Sequence, residues 1–296
     1  MKAWLAALVA LLLAQAACGA SAFERSTLTA EVEGTSIDVY LYRPDGAGPF
    51  PLIILSHGSP RSPRDRAGFG AGTMRAQAEA YAASGVAVAV PIRRGYGGNG
   101  EWAEGYGGCD HPDYYRAGLA SARDLDAARA VAAAQPGVDG SRIVLMGVSA
   151  GGWASVAAAT SGGVRGVVSF AGGRGSSGPD EVCGEDQLVG AAGRYGAASR
   201  APELWIYSQN DHFFGPALAR KMFAAFTGAG GRATFLAAPP YGEDGHKYIA
   251  DIGSWKPQVD RFLRQIGFLG AAGAKHGAGG GADQGASGAV RLSQPQ

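Results

Sequence analysis

Gly147-Val148-Ser149-Ala150-Gly151-Gly152 follows the apolar run RIVLM (142–146) and precedes WASVAAAT (153–160). The run reads as a buried strand and the stretch after it as a helix. Residues 147–151 fit G-x-S-x-G, and between a strand and a helix that pattern describes a nucleophile elbow. Its physics is specific. A serine in so tight a turn needs small neighbours two positions away on each side, which Gly147 and Gly151 supply. The turn lifts the hydroxyl clear of the sheet, and the helix that follows offers the Ala150 N–H to a developing oxyanion.

A serine nucleophile needs a base, and the elbow predicts the chain order serine, acid, histidine, each after a later strand. ELWIYS (203–208) reads as such a strand, and Asp211 is the first carboxylate beyond it. ATFLAAPP (233–240) is the next, and His246 follows in a Gly-rich loop. Asp211 would hold the tautomer of His246, and His246 would take the proton of Ser149. His212 shares the acid's loop and so has no carboxylate of its own to orient it. Glu243 and Asp244 are too near His246 in sequence to reach its Nδ1. His57 reads as a structural residue holding its loop, and His111 as a loop residue. The second oxyanion donor is expected from the loop after PLIILS (51–56), where Ser59 N–H is the candidate and Pro60 has none to give.

Around this motif, strand-like runs alternate with helical ones. LTAEVEG and TSIDVYLYRP alternate with period two about Gly34, as in an opening antiparallel hairpin. PLIILS and VAVAVPI are continuous apolar runs suited to strands buried on both faces. Helical patterns cover about 74–83, 116–134, 216–229 and a closing segment from Ser254, a candidate N-cap. The stretch between VRGVVSFA and ELWIYS reads as a loop of about thirty residues. The alternation predicts an α/β fold, a mostly parallel sheet with helices on both faces, over residues 23–269.

The two ends read differently. Residues 1–22 carry Lys2, an apolar run from Ala3 to Ala17 and small residues ending Ala20-Ser21-Ala22. That is the pattern of a secretory signal peptide cut before Phe23, too short for a stable membrane span. Cys18 offers a lipoprotein alternative, but Gln15 stands where such sites prefer leucine. Export to a periplasm or to the outside follows. Removal of Cys18 leaves Cys109 and Cys183, which in an oxidising compartment are expected to pair. Residues 270–296 are Gly-rich and almost without bulky apolar groups, a composition that favours a disordered tail. Net charge is +1 with 17% charged residues, which gives no basis for a nucleic-acid partner.

The elbow GVSAGG, the loop SHGSP, the acid turn SQND, the histidine in DGH and the stretch DLDAARAVAAAQPGVDGSRIVLMGVSAGG resemble the α/β-hydrolase superfamily. The similarity is strongest to its dienelactone-hydrolase-like and prolyl-oligopeptidase-like branches and covers about 28–268. The resemblance implies an α/β-hydrolase fold with an eight-stranded sheet and a serine hydrolase without cofactor; the scattered histidines and the spacing of Cys109 and Cys183 give no expectation of a metal site. It departs from dienelactone hydrolases proper in having Ser149 where they carry cysteine. It departs from full prolyl oligopeptidases in lacking a propeller ahead of the hydrolase.

The expected activity is hydrolysis of a small-molecule carboxylic ester through an acyl-enzyme. Trp153, Phe213 and Tyr114 are the candidate pocket walls, with Phe214 beside them, under segments 93–115 and 172–200 stapled by Cys109–Cys183. Arg93 and Arg94 could meet a carboxylate or form salt bridges. Two other classes compete. A peptidase would use the same triad, with Glu101 and Glu104 as an acidic pair for a peptide amino terminus. A non-catalytic binding protein would have no need of all three groups in order. Oligomeric state is open.

Overall fold

The computed structural model describes residues 22–270. The leader assigned to 1–22 and the tail assigned to 270–296 lie outside the described residues, apart from Ala22 and Gly270. The strands are β1 Phe23–Val32, β2 Thr35–Pro44, β3 Phe50–Ser56, β4 Ala87–Pro91, β5 Val138–Val148, β6 Gly166–Phe170, β7 Ser176–Gly178, β8 Glu181–Val182, β9 Pro202–Ser208 and β10 Arg232–Ala238. The helices are α1 Arg75–Ala82, α2 Tyr114–Ala133, α3 Ala150–Ala158, α4 Glu185–Ala198, α5 Pro216–Gly228 and α6 Ile252–Gln265. Eight strands form one sheet in the order β1-β2-β4-β3-β5-β6-β9-β10. β2 runs antiparallel to both its neighbours, and every other pairing is parallel. β7 and β8 make a separate small hairpin.

Strand periodicity builds two cores. Leu52 and Ile54 of β3 face one side with Leu145 and Val167, under Leu125, Trp153, Leu188 and Phe226 of α2 to α5. Ile53 and Leu55 face the other with Val88, Val144 and Met146, under Tyr81 of α1 and Trp255, Val259 and Phe262 of α6. Burial on both faces is why the central strands read as unbroken apolar runs. Parallel strands place all their carboxyl ends on one edge, and the loops after β3, β4, β5, β6, β9 and β10 gather there.

Two expectations are corrected. The segment read as a loop before β9 contains α4 and the β7–β8 hairpin. The closing helix starts earlier than Ser254, with Asp251 at its N-cap position.

One buried acid far from the site has a measurable consequence. Glu203 at the start of β9 is 1% exposed and accepts from Trp205 Nε1 at 2.7 Å and Ser199 Oγ at 3.0 Å. Burial outweighs these bonds and pushes its carboxyl up to about 8. The folded state therefore holds a proton that the unfolded chain has released. Its penalty is absent below about pH 4.5, grows as pH rises, and levels off above about pH 8, reaching on the order of 5 kcal/mol. Glu203→Gln keeps the shape and can satisfy both partners. The difference between wild-type and variant melting curves should widen between about pH 5 and 8 in the variant's favour. A pH-independent difference would contradict this.

Candidate active site

Ser149 sits between β5 and α3 with φ 55° and ψ −124°, a conformation that costs a non-glycine residue about 1–3 kcal/mol. The turn is held by Ser149 N–H to Phe170 O at 2.9 Å and Trp153 N–H to Ser149 O at 2.9 Å. Its crowding explains the two glycines. A Cβ on Gly147 would lie 2.4 Å from Gly151 backbone, and one on Gly151 would lie 2.3 Å from the carbonyl oxygens of Ser56 and His57. The strain is thus imposed by packing against the end of β3.

Asp211 follows β9 and His246 lies in a short 3-10 turn, Gly245–Ala250, after β10. His246 Nδ1 is 3.2 Å from both Asp211 carboxylate oxygens. Asp211 Oδ1 also accepts from Phe213 N–H at 2.7 Å and Phe214 N–H at 2.9 Å. Since a carboxylate only accepts, Nδ1 carries the hydrogen and Nε2 is left as an acceptor. Asp244 takes another role: its Oδ1 accepts from the backbone N–H of His246 at 2.9 Å and of His212 at 3.0 Å. Asn210 binds the two loops together, its amide accepting from Tyr241 N–H at 2.9 Å and donating to Gly242 O at 3.1 Å. Asn210 is assigned no role by the sequence motifs of catalysis. Its place in the turn just before the acid was the available signal.

Ser149, Ala150 and Ser59 line one cavity of about 80 Å³. Among the described residues, neither the Ala150 nor the Ser59 backbone N–H has an acceptor, and Ser149 Oγ has no partner. Asp211 and His246 are thus joined directly, while the Ser149 hydroxyl is not hydrogen-bonded to His246. Phe213 and Phe214 line the cavity. Trp153 and Tyr114 do not. Trp153 is 1% exposed, packs edge-on to Tyr195 and donates Nε1–H to Tyr114 O at 3.0 Å. Tyr114 is buried beneath the cap, its hydroxyl donating to Cys183 O. Both point into the core because the apolar face of α2 and α3 turns that way. Trp102 and Tyr106 supply aromatic wall instead.

The cap is stapled as expected from the cysteine pair, with a Cys109–Cys183 disulfide. A second, unforeseen tie is ionic. Glu104 Oε2 meets Arg93 Nε at 2.9 Å and Arg174 Nη2 at 2.6 Å, with all three side chains no more than 2% exposed. Burial alone would push the Glu104 carboxyl up, but Arg174 and Arg93 overcome it and hold the group below the ordinary carboxylate range. Tyr96 and Ser121 donate to the same carboxylate, and Tyr96 also meets Ser59 Oγ at 2.8 Å. Arg93 Nη1 binds Ser56 Oγ at 2.8 Å and His57 O at 2.6 Å. Arg93 is therefore a structural cation rather than a carboxylate receptor, and Arg94 is paired with Asp124 and Glu33. Glu104, bound by two arginines, is not free to grip a peptide amino terminus, and Glu101 is exposed.

The remaining histidines resolve simply. His57 is buried, its Nδ1 at 2.7 Å from Gly58 O and its Nε2 accepting from Arg93 N–H at 3.2 Å. Burial and then the Arg93 cation keep it neutral, well below the ordinary histidine range. His212 does have an acid, contrary to expectation. Asp180 lies 3.0 Å from its Nδ1, but the pair is exposed and outside the cavity.

The cavity is cationic. Arg61, Arg66 and Arg174 line it, and among the described residues no Asp or Glu does. Arg174 Nε is buried without a hydrogen-bond partner among the described residues.

With this geometry established, comparison places the chain. No curated protein sequence matches it. A solved acylaminoacyl peptidase from Pyrococcus horikoshii aligns at 18% identity and TM-score 0.62, over 91% of this chain and 44% of that one. A puromycin-hydrolyzing peptidase from Mycobacterium tuberculosis aligns at 18% and 0.60, over 84% and 41%. A cold-adapted esterase from an Arctic intertidal metagenomic library aligns at 14% and 0.55, over 83% and 94%. The chain spans about two fifths of the length of these peptidases and nearly all of the esterase. These likenesses give the α/β-hydrolase fold. The family model for dienelactone hydrolases matches residues 68–251, more than half of the sequence, and the chain belongs to the dienelactone hydrolase family.

Proposed function

We propose that this hydrolase is a serine esterase, exported in its host, that cleaves short-acyl carboxylic esters bearing a negative charge. One observation carries the reading: Ser149 stands in a strained turn at a cavity shared with two unbonded backbone N–H groups, and His246 is tied to Asp211 at the neighbouring strand ends. In the proposed reaction Ser149 Oγ attacks the ester carbonyl as its proton passes to His246 Nε2. The oxyanion is met by Ala150 and Ser59 N–H. His246 returns the proton to the departing alcohol, and water then repeats the sequence on the acyl-serine. The Ser149–His246 contact forms with substrate bound, as catalytic hydrogen bonds often do.

The small cavity, walled by Trp102, Tyr106, Phe213 and Phe214, supports a compact acyl group. Arg66 and Arg174, each with an Nε that has no hydrogen-bond partner among the described residues, support an anionic substituent and weigh against the cationic amino terminus of a peptide. Export is supported by the leader reading and agrees with the disulfide.

The test compares p-nitrophenyl acetate, the p-nitrophenyl half-ester of succinic acid and alanine p-nitroanilide. The half-ester is expected to have the highest kcat/KM and the anilide the lowest. Anilide turnover matching the esters would favour a peptidase. Equal turnover of both esters would remove the charge preference.

A further inference from the structure

Phe213 belongs to a three-layer stack. Its ring lies on the His246 imidazole with centroids 3.8 Å apart and planes 10° from parallel. The guanidinium carbon of Arg61 is 3.5 Å from the same ring's centroid. Two groups that close to the ring centre would overlap on one face, so they occupy opposite faces. The order is guanidinium, phenyl, imidazole.

Arg61 is anchored from three directions and, among the described residues, has no ion pair. Its Nη2 donates to Ser176 Oγ at 2.8 Å, Gly178 O at 3.0 Å and His212 O at 3.2 Å, and its Nε to Ser176 Oγ at 3.1 Å. It thus joins the loop of Ser59, the β7–β8 hairpin and the loop of Asp211. His246 needs such support. Its Nδ1 is equally far, 3.2 Å, from both Asp211 oxygens, a shared contact that sets the ring's position better than its plane. The flat face of Phe213 supplies the missing restraint, and Arg61 holds Phe213 by cation–π attraction.

We propose that Arg61 is a positioning residue for His246, acting through Phe213. The inference rests on the reading of Ser149, His246 and Asp211 as the reacting groups. Arg61 fixes the imidazole plane so that the Nε2 edge meets the Ser149 hydroxyl once substrate enters. Loosening such a group by an ångström costs roughly 100-fold in rate.

The experiment measures ester kinetics and the rate of Ser149 labelling by a fluorophosphonate for wild type, Arg61→Ala, Arg61→Lys and Phe213→Leu, each with its melting temperature. Arg61→Ala and Phe213→Leu should lower kcat and the labelling rate by roughly 10–100-fold, with KM little changed for neutral and acidic esters alike. Arg61→Lys, which keeps a cation over the ring, should recover most of the loss. The double variant Arg61→Ala/Phe213→Leu should be no slower than Phe213→Leu alone. If Arg61→Ala raises KM for the acidic ester only, Arg61 binds substrate and the proposal is overturned. Unchanged kcat and labelling in folded Arg61→Ala and Phe213→Leu also overturn it, while a labelled wild type leaves the Ser149 reading intact. A wild type that is not labelled at Ser149 overturns both. Should Arg61→Ala fail to fold, the Lys and Leu variants decide by the same criteria.

Discussion

Replacing Ser149 by alanine is expected to lower kcat by at least about 10⁴-fold while leaving the fold and its stability nearly unchanged. Alanine keeps the Cβ, so the turn at φ 55° is neither relieved nor worsened. Only the hydroxyl is lost, and among the described residues it has no hydrogen-bond partner to leave behind. His246→Ala should cost about as much, because the hydroxyl is a weak nucleophile without its base. The double variant should be little worse than either single one, since the groups act as a unit. Losses that multiply would mean that Ser149 and His246 serve separate steps.

The second large effect is on stability. Glu104→Gln removes the carboxylate that pairs with both Arg93 and Arg174 in a water-excluded site. Breaking a buried pair in this way typically costs about 3–5 kcal/mol, because the remaining charges keep their desolvation penalty and lose their compensation. For a domain of this size that lowers the melting temperature by about 10 °C. Activity should fall too, because the cluster reaches Ser59 through Tyr96 and the cavity through Arg174. A variant melting within about 2 °C of wild type would show that the two arginines are solvated more than their burial indicates.

Much of this site is legible in the linear sequence, for physical reasons. An elbow needs glycines at fixed offsets, and a parallel sheet forces the acid and the histidine to follow later strands. Those requirements pick out Ser149, Asp211 and His246 without a structure, and the structure brings Asp211 and His246 together. Long-range charge clusters have no such rule. Arg93, Glu104 and Arg174 come from two loops separated by two helices and two strands, and no spacing ties them. The helix α4 was hidden by Gly190, Gly193 and Gly196, which weaken a helical pattern. Gly196 serves packing: a Cβ there would sit 2.0 Å from Phe226 O of α5. Trp153 and Tyr114 show a limit of proximity arguments, since an aromatic beside a catalytic motif can equally turn into the core.

The most direct test is to mix the protein with p-nitrophenyl acetate, quench in acid within the first turnover and map the acyl group by peptide mass spectrometry. One acetyl group on the peptide containing Ser149, absent from Ser149→Ala, is the predicted result. Turnover with no adduct on Ser149, and persisting in Ser149→Ala, would contradict it.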